Sequence, residues 1–257
     1  MGTVIITLCG RGVELALKMG GRMGEAKIFA HKIAGNHKGV KRFDSVMKLT
    51  GELFGKTKKL VYIAPCGVVV RAVAPHLKDK YSDPAVVVVD VGGRHAVSLL
   101  SGHEGGANAL ALEVANAIHA EPVISTTTEA EKNLIVGVGC RKGAKAEDLV
   151  AAVSGALEKV GAGIGEVRWI VSAELKSGEP GLIAAAEMLG VGLRFISHRE
   201  IILTARKFGR SKFVEEKVRL PAVAEPCALL GGKRTELILC KTILRGATVA
   251  IAKENCL

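Results

Sequence analysis

The chain of 257 residues is 49% apolar and 24% charged, enough for one large or two small packed domains and too apolar for a disordered chain. Its formal net charge of +11 favours anionic ligands. The cations are spread along the whole chain, and one Trp and two Tyr supply little base stacking, so a small acidic ligand is preferred to nucleic acid.

Strand-like and helix-like segments alternate from the start. Val4–Leu8 reads as a β-branched strand, Val13–Met19 as a helix and Lys27–Phe29 as a short strand. Ser45–Phe54 places Val46, Leu49 and Leu53 on one helical face. Leu60–Ala64 is a strand ending at Pro65, and Gly67–Ala74 a helix that stops before Pro75. Ala85–Val91 is a continuous apolar run, as in a strand buried on both faces, and Val97–Leu100 follows after the Gly92-Gly93 turn. Ala107, Leu110, Val114 and Ile118 mark a helix, Pro122–Ile124 a short strand and Ser125–Thr128 a polar loop.

Glu129–Asn133 is charged and lacks a period, so residues 1–132 and 133–257 are expected to form two domains. In the second, Leu134–Gly139 is a strand, Cys140–Lys145 a loop and Ala146–Val160 a helix. Val167–Val171, Pro180–Leu189 and Leu193–Ile196 continue as strand, helix and strand, and Leu237–Leu244 with Ala247–Ala252 closes the chain as a hairpin at Arg245-Gly246. The fold class expected is α/β, with two lobes, each a largely parallel sheet with flanking helices.

Several motifs fail on inspection. Gly51–Thr57 resembles a phosphate loop, but Thr50 stands where the first glycine belongs, and a helix precedes rather than follows it. Gly137-x-Gly139-x-x-x-Gly143 misses a dinucleotide fingerprint by one residue, which leaves a structural strand-to-helix turn or a substrate-carboxylate cradle. His103-Glu104 has no second His at zincin spacing, and the six cysteines (Cys9, Cys66, Cys140, Cys227, Cys240, Cys256) give neither C-x-x-C pairs nor zinc-site spacing, as for reduced cytosolic thiols. The Val4–Cys9 stretch is too short for a signal peptide or a membrane span, so a cytoplasmic protein with no membrane partner is expected.

Ligands in open α/β sheets bind beyond the carboxyl ends of the strands. Pro65–Arg71, Asp90–Arg94, Ser101–Asn108 and Ser125–Thr128 are therefore expected to share one face. Gly102, Gly105 and Gly106 would let backbone amides approach a ligand there. His103 is the candidate general base, with His95 its closest rival; Arg71 is a candidate carboxylate clamp and Asn108 or the Gly105-Gly106 amides candidate oxyanion donors. Each has a bland alternative: a packing His, a surface Arg, an Asp90 that caps the next turn, a Cys66 that is only a small buried thiol.

Pro65-x-Gly67-Val68-Val69-Val70-Arg71-Ala72-Val73-Ala74-Pro75, Asp83-Pro84-Ala85 through Asp90, Ser98-Leu99-Leu100-Ser101-Gly102-His103-x-Gly105-Gly106-Ala107-Asn108 and Pro122-Val123-Ile124-Ser125-Thr126 together resemble the CbiG family. So do Gly137-Val138-Gly139-Cys140-Arg141-Lys142-Gly143, Leu175-Lys176 with Glu179-Pro180-Gly181-Leu182, Val223 through Leu230 and Gly246 through Ala252. The likeness is weakest over the first fifty or so residues. The second half also resembles CobE, a stand-alone protein of the aerobic route. The resemblance implies hydrolysis of the lactone of cobalt-precorrin-5A in anaerobic cobalamin biosynthesis, with release of acetaldehyde to give cobalt-precorrin-5B. It implies no cofactor, because cobalt travels with the substrate. The expected partner is the cobalt-corrinoid intermediate, with neighbouring pathway enzymes and a second copy of the chain as further expectations. Beside that family, His103, Asp90 and Asn108 are read as catalytic. Arg71, Gly102, Gly105, Gly106, Ser125, Thr126, Arg141 and Lys142 are read as substrate-binding. A carrier that passes tetrapyrroles on without chemistry is the alternative.

Overall fold

The computed structural model describes residues 2–255, so the Cys256 thiol lies outside it. The chain divides into two compact units, one up to Thr126 and one from Thr127 onward. The fold class is α/β, with two mixed, mostly parallel sheets flanked by helices.

The first unit runs β1 (Thr3–Thr7), α1 (Gly10–Arg22), β2 (Ala26–His31), β3 (Val40–Phe43), α2 (Val46–Leu53), β4 (Lys59–Ile63), α3 (Cys66–Val73), β5 (Ala85–Val89), β6 (His95–Leu100), α4 (Ala107–Ile118) and β7 (Glu121–Val123). Its seven strands are ordered β3-β2-β1-β4-β5-β6-β7. Successive side chains of a strand point to opposite faces, and the core splits accordingly. Ile5, Val61 and Val87 face Ala16 and Met19 of α1 and Leu110 and Val114 of α4. Val4, Ile6, Leu60 and Val88 face Leu49 of α2 and Val69 and Val73 of α3. β1 and β5 are buried throughout and β4 from Leu60 onward, which is why they read as largely apolar runs.

One strand direction differs from the expected pattern. β6 pairs antiparallel with β5, in the register Val89↔Ala96 to Val86↔Leu100. Only Asp90–Arg94 separate the two, too few residues for the crossover that parallel neighbours need. β7 is parallel to β6 and so also runs against β5.

The second unit runs α5 (Thr127–Ala130), β8 (Leu134–Gly139), α6 (Ala146–Lys159), β9 (Val167–Ala173), α7 (Pro180–Leu189), β10 (Gly192–Ile196), α8 (His198–Leu203), α9 (Lys212–Val218), α10 (Ala224–Leu230), β11 (Thr235–Leu244) and β12 (Ala247–Glu254). The order is β10-β9-β8-β12-β11, with β8, β9 and β10 parallel and the β11–β12 hairpin added antiparallel beside β8. Helices α6 and α7 cover one face through Leu149, Val153 and Leu182, and α10 covers the other through Ala224 and Ala228. No helix among the described residues is long and apolar enough to cross a membrane. Thr127 and Thr128, expected in a loop, begin α5.

Candidate functional site

In the first unit the chain builds outward from β1 to β2 and β3, then returns to place β4 on the other side of β1. The carboxyl ends of β1 and β4 are therefore a topological switch point, where open α/β sheets form ligand crevices. Helices α1 and α3 begin there, at Cys9 and Pro65, with no side-chain cap on either. Their first-turn N–H groups present positive dipole ends.

A cavity of about 560 Å³ occupies this position. Its walls are apolar, from Leu8, Ile63, Val88, Val91, Val97 and Val123 among others, and its side-chain polar groups are Cys9, Cys66, Asp90 and His95. Asp90 and His95 come from the two ends of the β5–β6 turn. One Asp90 oxygen accepts from the Gly92 N–H at 2.9 Å; the other accepts from the N–H groups of Arg94 at 2.9 Å and His95 at 2.8 Å. The His95 ring Nδ1 stands 3.5 Å from the same second oxygen, and the Arg94 Nε is 3.5 Å from the first.

Partial burial works to raise the Asp90 carboxyl, but the three backbone donors and Arg94 outweigh it and hold the group below its ordinary value of 3.8. A carboxylate depressed in the folded state contributes stability above its unfolded value and loses it as pH falls through the folded value. The Gly92, Arg94 and His95 amides are thus expected to keep their protection at neutral pH and down through pH 3.8, and to lose it only as pH falls through the lower folded value. In Asp90→Ala they should exchange faster at neutral pH too. Amide hydrogen exchange followed by NMR checks both; unchanged protection in the variant would contradict the turn-holding role.

The reversal of β6 separates residues expected to share one face. Ser101–Asn108 follow β6 and lie at the end of the sheet where β5 starts: a Cβ on Gly105 would sit 3.3 Å from the Asp83 carbonyl. Ser125 and Thr126, after β7, are at that end too. His103, Asn108, Gly102, Gly105, Gly106 and Thr126 therefore cluster away from Asp90, Arg71 and the cavity. Asn108 ties this cluster together: its Oδ1 accepts from Ser98 Oγ at 2.8 Å and its Nδ2 donates to Thr126 Oγ1 at 2.9 Å. The expected open cradle is instead closed on itself. A Cβ on Gly102 would meet Thr126 at 2.8 Å, one on Gly105 would meet the Ser101 Cβ at 2.3 Å, and the Ala107 and Asn108 amides donate to Ser101 and Gly102 carbonyls. Gly106 caps α4 at φ +83°. His103 is exposed, and its neighbour Glu104 pairs with Lys80 at 2.6 Å. Ser125 is exposed. At the cavity end, Arg71 is exposed on α3 and donates back to the Gly67 carbonyl at 2.9 Å.

Arg141 and Lys142 belong to the second unit, exposed in the loop after β8. That loop is fixed from below: the Gly143 N–H donates to the buried Glu179 carboxylate at 2.8 Å, and Lys176 lies 3.3 Å from the other Glu179 oxygen. The two glycine-bearing stretches singled out in the sequence, Gly137–Gly143 and Glu179–Leu182, are thus one packed assembly. Burial raises the Cys140 thiol beside them above its usual value, which keeps it protonated at neutral pH. Gly137 and Gly139 themselves lie within β8 rather than in an anion-binding turn.

His95 enters the sequence analysis only as the rival of His103, and Cys9 with no role, and both line the cavity. The available signal was the position of His95 just beyond a short glycine turn at the carboxyl end of a buried strand. Cys9 carried no signal beyond following β1.

Comparison with known proteins gives two family matches. Residues 48–129 match the model "Cobalamin synthesis G N-terminal" and residues 134–252 match "Cobalamin synthesis G C-terminus". The chain is 39% identical over 137 residues to a cobalt-precorrin-5A hydrolase of Priestia megaterium, covering 51% of this chain and 37% of that protein. It is 46% identical over 95 residues to the enzyme of the same name from Salmonella typhimurium, covering 37% and 27%. It is 31% identical over 128 residues to protein CobE of a Sinorhizobium species, covering 49% and 83%. The chain thus spans well under half the length of the two hydrolases it matches.

Proposed function

This chain belongs to the CbiG family, and from that premise we propose that it is a hydrolase of cobalamin biosynthesis that opens the lactone of cobalt-precorrin-5A and releases acetaldehyde. The observation that carries this reading is where the family likeness falls. Residues 48–129 supply every lining residue of the switch-point cavity except Leu8 and Cys9. The likeness therefore covers the strand ends that shape a ligand crevice, and not only the buried core.

The electrostatics agree with the substrate. A corrin precursor carries several acetate and propionate groups, and a chain of net charge +11 attracts such a polyanion. Exposed Arg71 near the cavity, and Arg141 and Lys142 in the second unit, suit carboxylates as pairing partners. The cobalt arrives as part of the substrate, so the reading asks no metal ligands of the protein.

The test is incubation of the purified chain with cobalt-precorrin-5A, with acetaldehyde read by its reduction in a coupled alcohol dehydrogenase assay. Stoichiometric acetaldehyde is expected. Tight binding of the corrinoid with no acetaldehyde would replace the hydrolase reading by that of a carrier.

A further inference from the structure

We propose that His95 is the general base for lactone opening, that Asp90 positions its ring, and that the switch-point cavity receives the lactone edge of the corrinoid. The assignment rests on the hydrolase reading above and adds to it the place and the group that perform the first step.

Size argues that only an edge enters. At about 560 Å³ the cavity is in the range of sites, about 300–1,000 Å³, that enclose a drug-sized ligand. A tetrapyrrole with all its carboxylate arms is larger than such a ligand. The walls made by Ile63, Val88 and Val97 suit the apolar rim of a ring, and a charged acetate or propionate arm would lose its hydration there. The arms stay outside, and the lactone, an uncharged ester, is the polar group of the substrate that such a cavity admits at lowest cost.

Of the six histidines in this unit, His95 alone lines the cavity, and His103 is the other candidate base. His103 is exposed at the opposite end of the sheet, away from the cavity. His95 lines it, with Nδ1 3.5 Å from an Asp90 oxygen. A small ring movement that closes this 3.5 Å separation would let Nδ1–H donate to the carboxylate and leave Nε2 with the lone pair that a base needs, the usual division of labour when a carboxylate orients an imidazole. Asp90 is suited to hold a ring still because it is itself fixed by three backbone N–H groups. The uncapped first turns of α1 and α3 border the same cavity and offer N–H groups to an oxyanion.

The step balances with water as the only co-reactant. Nε2 takes one proton from water as its oxygen bonds to the lactone carbonyl carbon. The ring C–O bond then breaks, its electron pair going to the departing oxygen, and the imidazolium returns the proton to that oxygen. One water is consumed, and a carboxylic acid and a hydroxyl group result.

The test uses the full chain and cobalt-precorrin-5A, with acetaldehyde read over a substrate series and circular dichroism as the check on folding. His95→Gln is expected to lower kcat about a hundredfold, the ordinary size of a general-base contribution, with KM nearly unchanged. His95→Gly should be as slow, and free imidazole should restore part of its rate. Asp90→Asn, which keeps one acceptor oxygen for the turn, should lower kcat about tenfold and leave KM in place, since misorienting a base removes part of its contribution. Wild-type kcat in folded His95→Gln, or the same loss found only in His103→Ala, overturns the assignment and leaves the hydrolase reading standing. A slow His95→Gly that imidazole does not improve overturns the base role of His95. No acetaldehyde from the wild-type chain overturns the hydrolase reading, and this assignment with it.

Discussion

Gly137→Ala is expected to destabilise the second unit by about 3 kcal/mol, the upper end of what overpacking a close-packed core costs. Gly137 lies in the middle of β8, and a Cβ there would stand 1.9 Å from the Ala224 carbonyl and 2.8 Å from the Ala228 nitrogen. Both are backbone atoms of α10, so no side chain can swing aside; the whole helix must move off the sheet. Moving it would break the bond from the Trp169 indole N–H to the Gly231 carbonyl, 3.0 Å, and the one from Arg194 to the same oxygen, 2.8 Å. Gly139, two residues on, meets only side-chain atoms at 3.2–3.6 Å, so Gly139→Ala should stay within about 1 kcal/mol of wild type. Trp169 is the single tryptophan of the chain and is buried in β9, so urea unfolding followed by its fluorescence reports on this unit. Equal stability of the two alanine variants would refute the packing role of Gly137.

Glu254→Ala should cost the same unit about 3 kcal/mol, the lower end for breaking a buried ion pair from one side. Glu254 is 5% exposed at the end of β12. One oxygen is paired with the Arg168 guanidinium, which also stacks on the Trp169 ring at 4.4 Å; the other accepts the Lys233 N–H at 2.6 Å. Truncation leaves a largely buried cation and a backbone donor without their acceptor. Arg168→Ala combined with Glu254→Ala should cost clearly less than the sum of the two single changes, because the second truncation removes the group that the first left unpaired. Additive losses in the same urea measurement would show that the two side chains do not act as a pair.

Much of the fold is legible in the sequence because three-layer packing imposes an unbroken apolar run on central strands and a one-sided stripe on helices. Val86–Val89 and Leu110/Val114/Ile118 carry those signals plainly. β3 does not: it is an edge strand with Lys41 and Arg42 exposed, and only Val40 and Phe43 touch the core. The helix α10 is hidden by Pro226, which is tolerated only because it falls in the first turn, where no intrahelical N–H is needed. Its buried Glu225 accepts from the Gly209 amide in a loop and the Lys241 amide in β11, segments that no short-range pattern links to it. The site was legible in its parts and wrong in its assembly. Placing all strand-end loops on one face assumes that all strands run one way, while Asp90–Arg94 is a turn too short to allow that for β6. Read as a hairpin, the Gly92-Gly93 stretch puts His95 beside Asp90 and sends His103 to the far end.

The position of β12 has a consequence for how the chain is made. β12 is made after every other strand of its sheet, yet it lies inside that sheet, against β8 on one side and β11 on the other. About 115 residues separate Gly139 from Glu254, and at roughly 5–20 residues per second the ribosome takes about 6–23 s to cover them. Over that interval β9 shelters one edge of β8, while the other edge of this fully buried Leu-Ile-Val-Gly-Val-Gly segment has no neighbour. The first unit has no such dependence, since all seven of its strands precede Thr126. Nascent chains halted before Ala247 should therefore carry a folded first half and a second half that is sticky and protease-sensitive, and the need for a holding chaperone should fall within that window.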